Sequence, residues 1–478
     1  MLLIKNGRVW GRPQASSVAV AGDRIAAVGS DLDPSGVEHT IDADGAWIAP
    51  AFNDAHVHFL MASRSLAELD LHGVGDQKEI ERLIAAYARN HPGDWVVGRG
   101  WFYSAFPGAM PTVDLLDRLV PDRPAYLESF DAHTGWANSR ALAIAQVNSP
   151  TILKEAAMLE VTRHIPRSAE TDRDALRAGM RIAAERGVGS IQEAGEGLDQ
   201  LPLWNALHDD GELTLRVRLA FDMTPGSSIL DWTKRLETYE DARRDRDGWI
   251  TTGVLKAFAD GVIESQTAAL LEPYAGSADR GAPLWERDEL REAARVADAR
   301  GWQLQVHAIG DAAIRQALDA FQGTTPGRRH RVEHIETPHP DDIPRFGGQQ
   351  VIASMQPQHA APGMIDVWRR NLGPERARRG WPWKLIAQSG GRLAFGTDWP
   401  VVPLDPFASI AEAQRDLSLE QAVGAWTLGS AYAEHAEHDK GVIAEGMLAD
   451  IALVDFPSAT VSATIVGGKV VYDAAKNP

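Results

Sequence analysis

Two histidines close together in an apolar segment are the first residues that could do chemistry. His56 and His58 stand two positions apart in APAFNDAHVHF, so both imidazoles project from one face if this segment is a strand. Two neutral imidazoles on one face form half of a metal site. The pair alone is weak evidence, because core and surface histidines also occur at this spacing.

Four more candidate ligands follow apolar runs further along the chain. Lys256 lies in TTGVLKAF, His307 in LQVHAIGD, His334 in HRVEHIE, and Asp398 ends LAFGTD. An ammonium group in an apolar run is unusual unless it is paired, has a shifted pKa or is chemically modified. Each residue alone is consistent with a polar side chain at a strand end. The ordered set of imidazole, carboxylate and amine groups instead predicts a metal centre.

Alternating helical and strand-like segments are expected to position these residues. TDRDALRAGMRIAAERG has helical periodicity and runs into the apolar VGSIQEAG, and ERDELREAARVADARG runs into WQLQVHAIGD in the same way. Repeated units of this kind predict the α/β class, with a closed (β/α)8 TIM-like barrel favoured over an open sheet. The polar residues then lie at the carboxyl ends of the strands, where barrel active sites are assembled.

The two ends of the chain have a different pattern. Short segments of alternating apolar and polar residues, separated by Asn-Gly, Asp-Gly and Gly-Gly turns, fill the first fifty and last thirty residues. Neither piece can bury a good core alone. We therefore predict that residues 1–50 and 440–478 pair into one small β-sandwich domain beside a barrel of residues 51–439. The alternative is two separate β fringes on the barrel.

One segment interrupts the alternation. Residues from about 60 to about 170 are rich in Trp, Pro and short helical stretches, as in DWVVGRGWFYSAFPGAMP. Since this segment is too long for an ordinary barrel loop, we predict an inserted subdomain that caps the barrel mouth.

The composition argues against several classes of function. The 478 residues include 48 Lys and Arg against 66 Asp and Glu, a net charge of −18, and no cysteine. Acidity without a Lys/Arg block argues against nucleic acid or an anionic membrane as a partner. The lack of cysteine excludes disulfides and thiolate catalysis. We expect no signal peptide, no membrane span and a cytoplasmic protein.

The order His-x-His, Lys, His, His, Asp between two β segments resembles the amidohydrolase superfamily of metal-dependent hydrolases. Five segments are similar to its amidohydrolase-3 branch, the YtcJ-like proteins: GRGWFYSAFPGAMPTVDLLDRLVPDRPAYLESFDAHTGWANSRAL, LKAFADGVIESQTAAL, HAIGDAAI, RVEHIE and FGTDWPVVPLDPF. The similarity covers essentially the whole chain, including the insertion.

The resemblance implies a role for each candidate ligand. His56, His58 and Asp398 would bind the more buried metal, and His307 and His334 a second one. Lys256, carboxylated on Nζ by carbon dioxide, would bridge the two metals as an anion that offsets their positive charge. With an unmodified lysine, one metal is expected instead of two. Zinc suits these ligands best, while iron, manganese, cobalt and nickel are chemically admissible.

The implied reaction is hydrolysis of a non-peptide C–N bond in an amide, an N-substituted formamide or a cyclic amide. Zinc lowers the pKa of bound water to about 7, which provides hydroxide at neutral pH. Asp398 would take the proton and deliver it to the leaving nitrogen, while His334 or His307 would stabilise the oxyanion.

Four further residues are predicted to contact a small-molecule substrate. His133 lies in the part of the insertion that matches the family, and His359, in MQPQHAAP, follows an apolar run. Trp101 and Tyr103 would line an apolar pocket, which favours an apolar or aromatic substrate. The alternatives are a structural histidine and aromatic packing under the insertion. The resemblance also implies a homodimer.

Two other functions stay open. The same ligands would serve an ester, a lactone or a deaminated ring, because hydroxide attacks each of these carbons. A non-catalytic barrel that acts as a binding or regulatory module is less consistent with a complete ligand set. The sequence has no G-x-G-x-x-G after the first strand of a βα unit, no P-loop and no G-x-S-x-G elbow, so nicotinamide, nucleotide and serine-hydrolase chemistry is not predicted.

Overall fold

The computed structural model describes residues 1–30, 32, 35–148, 152–362 and 364–476. Short strands begin the chain: β1 (Leu2–Lys5), β2 (Arg8–Val9), β3 (Ser17–Ala21), β4 (Arg24–Gly29), β5 (His39–Asp42) and β6 (Trp47–Pro50). The first barrel strand, β7 (Phe52–Val57), follows at once and leads into helix α1 (Phe59–Ser65). His56, in β7, and His58, just after it, thus lie where the terminal strands lead into the barrel.

The insertion forms a mixed sheet with helices packed on it. Its strands are β8 (Leu69–Asp70), β9 (Val96–Trp101), β10 (Ala125–Ser129), β11 (Thr134–Ala137) and β12 (Leu153–Lys154), in the order β12-β11-β10-β9-β8. Its helices are α2 (Gln77–Asn90), α3 (Val113–Leu119), α4 (Ser139–Ile144) and α5 (Leu159–Thr162). The insertion has an apolar core of its own, which includes Trp101, Leu127 and Trp136.

Strands, all parallel except the short β15, alternate with helices between residues 169 and 433. The strands are β13 (Val188–Glu193), β14 (Arg216–Asp222), β15 (Asp245–Arg246), β16 (Ile250–Phe258), β17 (Gln303–Ala308), β18 (Arg331–His334), β19 (Ile352–Met355) and β20 (Arg392–Phe395). The helices are α6 (Ala169–Glu185), α7 (Gly197–Asp209), α8 (Ile229–Asp241), α9 (Arg287–Ala299), α10 (Asp311–Phe321), α11 (Ile343–Gly348), α12 (Asp366–Leu372), α13 (Pro374–Ala377), α14 (Trp383–Gln388), α15 (Pro406–Ala413), α16 (Leu419–Gly424) and α17 (Ser430–Ala433).

Local sequence explains the helices of the barrel, as α6 illustrates. Ser168 accepts a hydrogen bond from the Thr171 amide and completes a capping box at the start of the helix. One face of α6, with Leu176, Met180 and Ala183, is buried against the barrel core. Helix α6 thus has both features expected of a helix on the outside of a barrel, a capped first turn and one apolar face.

The barrel contains eight parallel strands in the order β20-β19-β18-β17-β16-β14-β13-β7, and β15 adds a short antiparallel edge to β16. The segment after β20 closes it, because the Asp398 amide donates to the His56 carbonyl at 2.7 Å and the His58 amide donates to the Trp399 carbonyl at 2.9 Å. These contacts bring the end of β20 beside the end of β7.

The two chain ends meet in the remaining sheets. Strands β21 (Ile451–Asp455), β22 (Thr460–Val466) and β23 (Lys469–Asp473) join β2 and β6 in the order β2-β6-β21-β22-β23. A second sheet, β4-β3-β1-β5, shares a core with it through residues such as Ile4, Val18 and Ile451. The predicted fold class, a barrel with a small β-sandwich from both termini and an insertion, is confirmed. Among the described residues, no helix is long and apolar enough to cross a bilayer.

Candidate metal centre

The predicted ligands converge at the carboxyl ends of the barrel strands. They are His56 at the end of β7, His58 just before α1, Lys256 in β16, His307 in β17, His334 at the end of β18, and Asp398 just after β20. His359 also reaches this end of the barrel from a short 3-10 turn, Pro357–Ala360, after β19. Candidate ligands that are up to 342 positions apart in sequence thus lie together at the mouth of the barrel.

His56 is oriented by a carboxylate on a neighbouring element. Its Nδ1 lies 2.7 Å from Oε2 of Glu333, and both side chains are fully buried. Nδ1–H donates to this carboxylate, so Nε2 carries the free lone pair. Nε2 lies 3.4 Å from Nζ of Lys256 and 3.5 Å from Oδ1 of Asp398. His56 therefore presents a ligand atom to the centre of the cluster.

Asp398 lies between the histidines. Its Oδ1 is 3.5 Å from Nε2 of His58, and its Oδ2 is 4.0 Å from Nδ1 of His334 and 3.9 Å from Nε2 of His359. Burial raises the pKa of Asp398 to about 6, although positive charge on His359 and Lys256 opposes this shift. A carboxyl with such a pKa can both release and take up a proton near neutral pH.

The backbone is strained where two candidate ligands leave their strands. His334 has φ of 70° and Asp398 has φ of 60°, a left-handed conformation that costs other residues more than glycine. Asp54 holds the turn at Asp398 in place, since its carboxylate accepts hydrogen bonds from the amide and the hydroxyl of Thr397 at 3.0 and 2.6 Å. Strain of this kind clusters at functional sites.

The four histidines among the candidate ligands are neutral at neutral pH. Burial lowers the pKa of His56, His307 and His334 well below its usual value, and the positive charge of neighbours such as Lys256 adds to this effect. The same causes lower the pKa of His58 to about 3. Neutral imidazole is the form that binds metal ions.

Several ligand atoms in the cluster have no partner. Nδ1 of His334, Nε2 of His359 and Oδ1 of Asp398 are buried without a hydrogen-bond partner among the described residues. Ligand atoms of His56, His334 and Asp398 lie within 4.8 Å of one another. Unpaired polar atoms are costly in a buried position, and one cation would satisfy the lone pairs of His334 and Asp398 together. Imidazole and carboxylate donors at this spacing fit a divalent metal such as zinc.

Lys256 is buried beside this cluster. Only 1% of the residue is exposed, and its Nζ lies 4.4 Å from the centre of the Phe258 ring. Burial lowers its pKa to about 8, while the carboxylates of Glu333 and Asp398 oppose the shift. In a fraction of the molecules, Lys256 is therefore an uncharged amine at neutral pH.

His307 stands next to His334, with 4.4 Å between the two ring centres. Its Nε2 donates to the carbonyl of Gly261 at 3.2 Å, which leaves Nδ1 with the free lone pair. The buried carboxylate of Asp260 fixes the loops around it by accepting hydrogen bonds from the amides of Ile309 and Gly310 at 3.0 and 2.9 Å.

The insertion closes a cavity over the cluster. The cavity is lined by apolar and charged side chains from both barrel and insertion, among them Phe130, His133, Glu264, His307, His359 and Asp398. His133 comes from the insertion, and its Nδ1 lies 2.7 Å from Oε2 of Glu155. Burial disfavours its charged form, but attraction to Glu155 outweighs burial and raises the pKa of His133 to about 9. A charged imidazolium thus faces the cavity at neutral pH.

Two predicted substrate contacts lie elsewhere. Trp101 and Tyr103 are buried in the core of the insertion and are not among the described residues that line the cavity. The Trp101 indole N–H donates to the Leu127 carbonyl at 3.1 Å, and the Tyr103 hydroxyl donates to Asp131 at 2.9 Å. Tyr103 does not line the cavity itself, but it holds the carboxylate of Asp131, which does.

The sequence analysis missed Glu333. This residue lies in an apolar strand immediately before His334, and the same rule that selected His334, a polar residue in a buried strand, would have selected it. Its contact with His56 is made across the barrel, between β18 and β7.

Comparisons with known proteins identify the family of this chain. The model of the amidohydrolase family matches residues 39–472. Three curated relatives cover almost the whole chain. Protein LONG AFTER FAR-RED 3 from Arabidopsis thaliana is 28% identical over 98% of this chain and 91% of its own. The putative amidohydrolase YtcJ from Bacillus subtilis is 26% identical, over 91% and 90% of the two chains. The N-substituted formamide deformylase of Arthrobacter pascens is 23% identical, over 92% and 90%.

A solved structure has the same fold. An uncharacterized metal-dependent hydrolase from Pyrococcus horikoshii superposes with a TM-score of 0.77, at 23% identity, over 95% of this chain and 98% of its own. The family model spans nearly the whole chain and includes every candidate ligand. This chain belongs to the amidohydrolase family.

Proposed function

We propose that this chain hydrolyses a non-peptide C–N bond of a small molecule, in an amide, an N-substituted formamide or a cyclic amide. The observation that carries the proposal is the buried cluster of His56, His334 and Asp398, whose ligand atoms lie within 4.8 Å of one another at the barrel mouth. Membership of the amidohydrolase family and similarity to the N-substituted formamide deformylase of Arthrobacter pascens support the choice of bond.

The chain offers ligands for one or two divalent metals, with zinc the best match to imidazole and carboxylate donors. We assign His56, His58 and Asp398 to one metal and His307 and His334 to the other. A bound metal would act as a Lewis acid and lower the pKa of water. Lys256 would bridge the two after carboxylation of Nζ, and the lowering of its pKa to about 8 supports this, because carbon dioxide reacts with the uncharged amine.

Asp398 carries the proton in this proposal. Its pKa of about 6 allows the carboxylate to take a proton from attacking water and to release it to the leaving nitrogen. His334, 4.0 Å from Oδ2, is placed to stabilise the oxyanion that develops on the substrate.

His133 and His359 are the proposed substrate contacts. Both line the cavity, and both are held by carboxylates, Glu155 for His133 and Glu336 for His359. Each can donate a hydrogen bond to the substrate from its second ring nitrogen. The insertion and the barrel would thus each contribute one histidine to substrate binding.

A substrate screen on metal-loaded protein tests the proposal. We expect turnover of members of an amide, formamide and cyclic amide panel, and a loss of about 100-fold or more in kcat for Asp398→Asn, because the proton carrier is removed. Asp416→Asn, at an exposed position, is the matched control and should keep full activity. Turnover of esters or lactones alone would contradict the choice of bond, and full activity of Asp398→Asn would contradict the mechanism.

A further inference from the structure

A network of polar side chains crosses the interior of the barrel behind His56. It begins with the carboxylate of Glu333, whose Oε2 lies 2.7 Å from Nδ1 of His56 and whose Oε1 forms an ion pair with Nε of Arg331 at 3.0 Å. Nη1 of Arg331 donates a hydrogen bond to Oε1 of Gln192. Nε2 of Gln192 in turn donates to Oδ1 of Asn53 at 3.3 Å. Side-chain contacts thus link the candidate ligand with the start of β7.

The network ends in an ion pair at the amino end of the barrel. Nδ2 of Asn53 donates to Oε1 of Glu434 at 2.5 Å, and the same oxygen lies 2.8 Å from Nζ of Lys440. Both charged residues belong to the segment that leads from α17 to β21. This segment lies against the amino ends of the barrel strands, since the carbonyl of Ala433 accepts a hydrogen bond at 2.7 Å from Gln303, the first residue of β17. The candidate ligands lie at the opposite end.

The groups at the two ends of the amide pair fix its orientation. A guanidinium can only donate hydrogen bonds, and a carboxylate can only accept them. Gln192 therefore presents its oxygen to Arg331, and Asn53 presents its nitrogen to Glu434. The reversed orientation would place an N–H group of Gln192 against the guanidinium. Glu434 thus helps to hold both amides in the orientation that satisfies Arg331.

The network is shielded from water along its whole length. At most 8% of each member is exposed, and the members are Asn53, Gln192, Arg331, Glu333, Glu434 and Lys440. Buried charges interact more strongly than charges in water, and removal of one partner leaves the other uncompensated. A change at the amino end is therefore expected to disturb the remaining members rather than to be compensated by solvent.

We propose that Glu434 and Lys440 are positioning residues for the metal centre, and that they act on His56 through this network. The proposal rests on the metal centre of the proposed function and deepens it. The segment after α17, which closes one end of the barrel, then sets how tightly a metal binds at the other end. If the network served only to satisfy buried polar groups, metal affinity would not depend on Glu434.

Zinc affinity of the full chain, measured by competition with a chromogenic chelator, tests the proposal. Glu434→Gln keeps the size of the side chain but removes its charge, and we expect the zinc dissociation constant to rise about three- to tenfold. In a Glu333→Gln background the same substitution should have no further effect, because the link to His56 is already broken. Glu437→Gln is the matched control, since Glu437 lies in the same segment and pairs with Arg329 at 2.6 Å, outside the network.

Urea unfolding of the same variants separates positioning from stability. Both Glu434→Gln and Glu437→Gln should lower the unfolding free energy, whereas only Glu434→Gln should lower zinc affinity. Unchanged zinc affinity in folded Glu434→Gln, an equal loss in the Glu333→Gln background, or an equal loss in Glu437→Gln overturns the proposal. Lys440→Met, which removes the other charge of the pair, provides the same test if Glu434→Gln fails to fold.

The outcomes also distinguish this proposal from the proposed function. Zinc binding by the wild type that does not depend on Glu434 or Lys440 overturns the role of the network and leaves the metal centre in place. A wild-type protein that binds no zinc overturns both.

Discussion

Oε2 of Glu333 lies 2.7 Å from Nδ1 of His56, although the two residues belong to strands on different sides of the barrel core. The other oxygen of Glu333 is 3.0 Å from Nε of Arg331, whose guanidinium also contacts Gln192 and Gln305 inside the barrel. Side chains inside the barrel thus fix the orientation of the His56 ring through its Nδ1. Partners of this kind orient metal-binding histidines and raise their basicity.

Glu333→Gln should weaken metal binding without unfolding the protein. The substitution keeps the size of the side chain but removes the negative charge that holds Nδ1–H of His56. We expect the dissociation constant for zinc to rise about 10- to 100-fold, measured by competition with a chromogenic chelator. Glu237→Gln, at an exposed position of α8, serves as the control. Unchanged zinc affinity in Glu333→Gln would show that this contact does not act on the metal centre.

Gly396→Ala should disturb the centre directly. A Cβ atom at this position would lie 2.5 Å from the His56 amide nitrogen and 2.7 Å from Oδ1 of Asp54, so β7 and the turn after β20 would have to separate. We expect a loss of about 2 kcal/mol or more in unfolding free energy, together with reduced zinc content. Gly424→Ala, whose Cβ would meet nothing within 4 Å, is the matched control and should be neutral or stabilising. Equal unfolding free energy and zinc content in the two variants would contradict the close approach of Gly396 to His56.

The ion pair between His133 and Glu155 should make part of the stability depend on pH. The pKa of His133 is raised to about 9, above its unfolded value of 6.5, so the pair stabilises the fold fully below pH 6.5 and loses this effect as pH rises through about 9. The gap in unfolding free energy between wild type and Glu155→Gln should therefore be larger at pH 6 than at pH 9.5. Glu160→Gln is the control on the insertion surface. A gap that stays constant across this range would contradict a charged His133.

The variant Glu155→Gln also tests the pKa of the His133 imidazole directly. In Glu155→Gln the burial of His133 remains and only the weaker attraction of Asp131 and Asp398 is left, so its pKa should fall well below 9. The measurement is a proton NMR titration of the histidine ring signals. A His133 midpoint that remains near 9 would mean that another group holds the charge.

Asp298 should stabilise the fold with the opposite pH dependence. Burial opposes its ionisation, but the nearby imidazole of His330 and hydrogen bonds from Thr325 and Arg328 hold its pKa below the usual 3.8. Its contribution is therefore present above pH 3.8 and is lost as pH falls toward the lower pKa of the folded state. Asp298→Asn should cost about 2 kcal/mol at pH 7 and less at pH 3, measured by urea unfolding. The exposed Asp241→Asn is the control, and a cost that does not fall at pH 3 would refute the assignment.

The positions of the candidate ligands could be predicted from sequence because the signal is local. A run of apolar residues that ends in His, Lys or Asp marks the carboxyl end of a buried parallel strand, and all such ends of a barrel meet at one mouth. His307 and Asp398 were found in this way, and the structure places both in the cavity lining. Their role as ligands stays a prediction that metal analysis must test.

What sequence could not predict depends on contacts between distant segments. Nothing in the residues around Glu333 indicates that it faces His56, because the contact spans 277 positions. Trp101 and Tyr103 show the converse, since an aromatic motif can fill a core as readily as a pocket, and here it fills the core of the insertion.

Metal content per chain tests the central claim most directly. The protein is purified without chelators and with bicarbonate present, and wild type is compared by elemental analysis with His56→Ala and with the surface variant His438→Ala. We expect about two divalent metal ions per chain for wild type and His438→Ala, and a clear loss for His56→Ala. No metal in the wild type after resupply, or full metal content in His56→Ala, would contradict it.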